Sequence, residues 1–285
     1  MTAAAPATVA RTLRDLVVVE GPDAATYLQG QLSQDVAGLA VGGSAPSFVL
    51  APQGKVDGWG RVHRVADDRF EIDVDLGAGA AWAARLTRFL LRTKARVEVT
   101  EAVPTIERRG TGVEGGLAPL GPGVVGGDVV GWDEPGPPPG TPEGAEVIDD
   151  DAREALRIRA GVPAWGAELD ADTIPATVGQ WAIDASVSFT KGCYTGQELV
   201  ARIDSRGGNV PRRLAGLVIE GPPPVAGTPV VVGGEDLGAI TSSAPEGDGS
   251  VALAFVPRAV ELDADGVEVA VGGHRATLRP LPLAT

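Results

Sequence analysis

The last third of the chain most narrows its possible folds. Short apolar runs at residues 214–219, 230–232, 237–241, 251–256, 267–271 and 275–278 follow one another with turn residues between them. Short strands at near-regular spacing are the pattern of a small antiparallel barrel. The preceding sequence is patterned differently. Residues 16–19 and 70–74 read as strands, and 47–50 with 56–65 as a hairpin around Pro52-Gln53-Gly54. Residues 80–91 have helical spacing through Trp82, Leu86, Phe89 and Leu90, and 95–99 follow as a strand. That β-β-β-α-β order predicts an α+β body rather than a doubly wound parallel sheet. The change falls near Asn209-Val210-Pro211, dividing the chain into residues 1–210 and a barrel at 211–285.

Several local expectations follow. The first ten or so residues read as a frayed lead-in. Asp23 is placed to cap a short helix carrying Tyr27 and Leu28. Glu71, Asp73 and Asp75 alternate with Ile72 and Val74, which predicts a solvated strand face. Residues 110–144, rich in Gly and Pro, read as a surface excursion. Asp149-Asp150-Asp151 precede a helix at 152–160, whose N-terminal end favours acids.

A net charge of −14 argues against binding a long nucleic acid. The longest early apolar run, residues 16–19, is too short to span a membrane. One cysteine excludes an intramolecular disulfide and suits a reducing compartment, so the chain reads as cytoplasmic and monomeric. His63 and His274, on separate predicted strands, do not make up a metal site, and no G-x-S-x-G elbow occurs. Two basic groups stand out: Arg85, Arg88, Arg92, Lys94 and Arg96, and Lys191, Arg202, Arg206, Arg212 and Arg213. They suit either a small anionic ligand or solvated helix faces and strand ends.

The chemical candidate is Lys191-Gly192-Cys193-Tyr194-Thr195-Gly196-Gln197-Glu198. Thr195 and Glu198 have capping-box spacing, and Tyr194 and Leu199 that of a hydrophobic staple. Cys193 then sits beside a helix start with Lys191 two residues away, a setting that favours a thiolate. A small semi-apolar residue packed at a tight turn is the competing reading.

This octapeptide resembles the signature of the YgfZ branch of the YgfZ/GcvT-like superfamily, relatives of the glycine-cleavage T-protein. The segments from Glu20 to Asp23 and from Tyr27 to Val36 resemble the family's opening. Pro52 to Lys55, Arg85 to Phe89, Gly161 to Pro163, Ile174-Pro175 and Gly238 to Ser242 also follow family order. The resemblance implies two interwoven α+β domains and a C-terminal β-barrel, together a three-domain ring around a central hole. It further implies a tetrahydrofolate or one-carbon derivative as cofactor, with Gln29, Gln31, Asp35, Lys55 and Asp57 as candidate contacts. Cys193 and Lys191 become the functional pair, and Gly192, Tyr194, Thr195, Gly196, Gln197, Glu198 and Arg202 the surrounding motif. The implied partners are iron–sulfur client or assembly proteins, including tRNA-modifying iron–sulfur enzymes. Aminomethyl or methyl transfer, and an adaptor with a degenerate pocket, are the alternatives.

The sequence departs from the T-protein at its chemistry. An aspartate pair there follows the turn matching Gly54, whereas here Asp57 is followed by Gly58-Trp59. A pterin-gripping glutamate is replaced by Arg159, which only donates hydrogen bonds. Two tryptophans tied to folate in a YgfZ relative fall at or near Arg14 and Arg153.

Overall fold

The computed structural model describes residues 7–121, 126–132 and 137–283. The body is a sheet in the order β2-β3-β4-β1-β5-β6, with a short β7 added to β1. Its strands are β1 (Thr8–Glu20), β2 (Ser44–Leu50), β3 (Val56–Ala66), β4 (Arg69–Asp75), β5 (Arg96–Arg109), β6 (Val129–Val130) and β7 (Glu146–Val147). Every pairing is antiparallel except β1 with β7. The first strand therefore starts at Thr8, paired with Arg109, which corrects the expectation of a frayed lead-in as far as residues 7–10.

Helices α1 (Ala24–Gln31) and α2 (Gly79–Thr87) cover one face of this sheet. Their apolar side joins Leu28, Trp82 and Leu86 to Val17, Val19, Phe70, Ile72 and Val74 in one core. The Tyr27 hydroxyl donates to the Leu86 carbonyl and ties the two helices together. Asp23 occupies the position before α1, but its side chain accepts no capping bond there. It accepts from the Lys94 amide at 2.8 Å instead. Helix α2 ends at Thr87, earlier than its spacing predicts, so Phe89 lies beyond it.

The acids on β4 do not form a wet face. Asp73 is 1% exposed and pairs with Arg61, equally buried, on β3. Arg61 also reaches Asp128 at 2.8 Å and the Ala118 carbonyl at 2.6 Å. Asp75 pairs with Arg14 at 3.0 Å and accepts from the Trp165 amide at 2.7 Å. Arg61 thereby pins the Gly/Pro-rich excursion to the sheet. Arg108 assists, donating to the Gly115, Gly127 and Pro139 carbonyls.

Three further helices follow: α3 (Asp150–Ala160), α4 (Gln180–Ser186) and α5 (Gln197–Asp204). Asp149 caps α3 through a 2.9 Å bond from the Ala152 amide, as its acidic start predicts. Gly161 ends α3 at φ +71°, and a Cβ there would lie 2.9 Å from Leu281. Both the left-handed backbone and the close approach call for glycine.

The chain closes in a barrel, β10-β11-β8-β13-β12-β9, after β8 begins at Arg212. Its strands are β8 (Arg212–Ile219), β9 (Pro229–Val232), β10 (Glu235–Glu246), β11 (Gly249–Pro257), β12 (Val267–Val271) and β13 (His274–Arg279). Ala215, Leu217, Ile219, Val230, Val269 and Leu278 are among the residues of its interior. A separate core joins barrel to body through Ile158, Ile183, Val251, Leu253 and Leu283. Glu168, 1% exposed, reinforces this joint. It accepts from the Thr241 and Ser242 hydroxyls, each at 2.6 Å, and pairs with Arg157 at 3.1 Å. The result is an α+β fold with a C-terminal antiparallel barrel.

Candidate functional site

The Lys191–Glu198 loop lies along the end of α1. The Lys191 ammonium donates to the carbonyls of Gln29, Leu32 and Gln34 at 2.6, 2.6 and 2.9 Å. Three donors meet three acceptors at a helix C-terminus, where carbonyls lack partners within the helix. The Tyr194 ring lies 5.0 Å from the same ammonium. Burial pushes the Lys191 pKa down to about 8, with nearby Asp35 opposing. The Ser188 and Thr195 amides donate to the carbonyls of Ser33 and Gly30. Between these anchors Gly192 and Cys193 are exposed.

The helix start differs from the expected capping box. Gly196, at φ +82°, precedes α5, and no side chain caps it. Gln197 takes over the turn by accepting from the Tyr194 amide at 3.1 Å. Cys193 thus stands four residues before Gln197, and Lys191 is committed to α1 carbonyls. Gly196 has a further role: a Cβ there would fall 2.5 Å from the Ala51 carbonyl oxygen and 3.2 Å from Gly54 Cα. Gly54 faces it across this contact, and a Cβ added there would fall 2.4 Å from Leu199 Cβ. The Pro52-Gln53-Gly54 turn and the octapeptide are therefore two sides of one close backbone approach. Glu198 and Arg202 lie exposed on α5.

The five candidate folate contacts lie around this junction. Gln29 donates to Asp35 at 2.8 Å, and Gln31 accepts from Arg85 at 3.1 Å. Arg85 also holds Asp57 at 3.0 Å and the Leu50 carbonyl at 3.0 Å. Lys55 pairs with Asp172 at 2.5 Å. The two basic groups therefore approach one another through the end of α1, by way of Arg85 and Lys191. Arg202 is outside these contacts.

A cavity of about 1220 Å³ opens elsewhere, between β1, β5, α3, the 162–165 segment and the chain end at Pro282-Leu283. None of the five candidates, and no residue from Lys191 to Glu198, lines it. Its walls bring together Arg14, Arg153 and Arg159, three of the positions at which the sequence departs from the family pattern. Arg14 pairs with Asp73 and Asp75, Arg153 with Glu107 and Arg159 with Glu246. Trp59 and Trp165 add aromatic surface, and the exposed Leu13, Leu76 and Leu156 add apolar surface. Arg11 lines the cavity with no ion pair among the described residues, as do Asp150 and Asp151. Sequence reading did not single out Arg11, Trp165 or the leucines. The available signal was the recurrence of arginine at 153, 157 and 159 on one short helix.

The description "Glycine cleavage T-protein C-terminal barrel domain" matches residues 212–284. A tRNA-modifying protein YgfZ from Edwardsiella ictaluri is 29% identical over 67% of this chain and 65% of its own. These matches support a likeness to the YgfZ/GcvT-like family. An aminomethyltransferase from Streptomyces avermitilis is 39% identical, over 37% of this chain and 28% of that protein. The crystal structure of glycine cleavage system aminomethyltransferase T from Bartonella henselae superposes with a TM-score of 0.75 at 22% identity, covering 98% of this chain and 87% of that one. The chain thus has a T-protein-like fold. No described helix is long and apolar enough to cross a membrane.

Proposed function

We propose that this YgfZ/GcvT-like chain is a cytoplasmic folate-binding factor that supports iron–sulfur proteins, including tRNA-modifying iron–sulfur enzymes, without aminomethyl transfer. The observation carrying this reading is the placement of Asp57. The carboxylate nearest the T-protein's catalytic pair is held by Arg85 outside the large cavity.

The cavity fits a folate in volume and in chemistry. Trp165 offers a flat wall for the pterin, with an edge of the buried Trp59 beside it. Asp150 and Asp151 offer acceptors for pterin N–H groups, which Arg159 does not. Arg11 supplies charge for the glutamate tail. Bound tetrahydrofolate would supply a one-carbon carrier. The chain's own residues would bind and orient it, while Cys193 on its exposed loop meets the iron–sulfur client.

The test is made in cells lacking the native copy, reading the activity of a tRNA-modifying iron–sulfur enzyme. Leu156→Trp, which fills the cavity from an exposed wall position, and Cys193→Ala should each fail to restore activity, with folding unchanged. Full restoration by both variants would overturn the proposal.

A further inference from the structure

Residues 76–97 contain Arg85, Arg88, Arg92, Lys94 and Arg96 and not one Asp or Glu, in a chain holding 38 acids. After α2 the backbone turns on itself, the Phe89, Leu90 and Thr93 amides donating to the carbonyls of Leu86, Thr87 and Leu90. Leu86 and Leu90 turn into the core. Phe89 and Leu91 are left outside, 44% and 86% exposed. The guanidinium groups of Arg85 and Arg88 lie 4.4 and 5.9 Å from the Phe89 ring centroid, holding it in place.

The loop is also fixed at its far end. Asp23 accepts from the Lys94 amide, and Gly21 packs so closely that a Cβ would lie 2.3 Å from the Lys94 carbonyl oxygen. An apolar tip held this way loses little freedom on binding. Arg85 and Arg96 are neutralised by Asp57, Glu20 and Glu98. Arg88, Arg92 and Lys94 have no ion pair among the described residues. Unpaired cations around projecting Phe and Leu side chains match the composition of a protein interface, an apolar anchor with a charged rim.

We propose that residues 88–94 dock a protein that receives Leu91 and Phe89 in an apolar recess rimmed by a local cluster of carboxylates, which meet Arg88, Arg92 and Lys94. Charge complementarity selects this occupant. A chain of net charge −14 repels a long polyanion or an anionic bilayer, whereas a local carboxylate cluster engages only the loop. The end of α1 connects the loop with the Cys193 segment, through Gln31 to Arg85 and Gln29 to Lys191. None of the loop's residues lines the cavity, so the inference stands apart from folate binding.

The experiment places p-benzoylphenylalanine at position 91 of the full chain in cells and identifies cross-linked peptides by mass spectrometry. The expected result is protein adducts through Asp- and Glu-rich peptides, reduced at least tenfold by Arg88→Glu with Arg92→Glu and kept by the corresponding lysine variants. The charge-reversed chain should keep its Tm and its titration curve with tetrahydrofolate. Adducts that survive charge reversal, that join RNA, lipid or a second copy of this chain, or that do not form at all would overturn the proposal.

Discussion

Arg85 holds Asp57, its Nε donating to the carboxylate at 3.0 Å, while its other nitrogens reach Gln31 and the Leu50 carbonyl. One guanidinium thereby ties α2, α1, β2 and β3 together. Arg85→Ala leaves these acceptors without their donor and should cost about 1–3 kcal/mol in a urea unfolding series. Asp57→Asn should leave tetrahydrofolate affinity unchanged, because this carboxylate lies outside the cavity. A tenfold loss of affinity in that variant would move the ligand to the Asp57 side of the body.

Gly54 and Gly196 approach so closely that neither tolerates a side chain. Each has a positive φ, +83° and +82°. Gly196→Ala combines backbone strain with a clash against the Ala51 carbonyl and should cost about 2 kcal/mol or more by denaturant unfolding. Gly192→Ala is the control: nothing lies within 4 Å of its added Cβ, and stability should stay within about 0.5 kcal/mol of wild type.

Lys191 gives the Cys193 loop its position. Lys191→Met removes all three bonds to α1 and its adjoining turn, which should cost about 2 kcal/mol or more. Amide exchange should accelerate across residues 188–195 beyond what the global destabilisation accounts for. Equal protection in the two proteins would show that the backbone contacts to Gly30 and Ser33 suffice alone.

Asp128 makes stability depend on acid. Burial pushes its pKa upward, but Arg61 and Arg109 outweigh burial and hold it below the usual value of 3.8. A carboxylate with a depressed folded pKa contributes its stability in full above its unfolded pKa and loses it as pH falls through the folded one. Asp128→Asn should therefore cost about 3 kcal/mol at pH 7. The difference from wild type should shrink below about pH 4, measured by urea unfolding at each pH.

Much of the fold was legible because its signals are local. The barrel strands are short, apolar and bounded by turns, and α3 carries its own acidic cap. The β4 acids were misread because alternation shows which residues share a face, not what lies opposite. Asp73 and Asp75 find their partners on β1 and β3, in Arg14 and Arg61, and at the distant Trp165 amide. The capping box failed for a related reason: Gly196 adopts a left-handed turn to approach Gly54, and Gln197 then takes the free amide at Tyr194. The octapeptide was visible in the sequence, but its contact with α1 was not. The cavity was least legible, since β1, α3 and the chain end build it together and no single segment carries its pattern.

The most direct test of the account is calorimetric titration of the full chain with tetrahydrofolate, repeated on Leu156→Trp and Arg11→Ala. Wild type should bind at one saturable site, with its tryptophan fluorescence changing in step. Affinity should fall at least tenfold in Leu156→Trp, and fall in Arg11→Ala more for a polyglutamylated folate than for a pterin lacking the tail. No heat and no fluorescence change with the wild-type protein would contradict it.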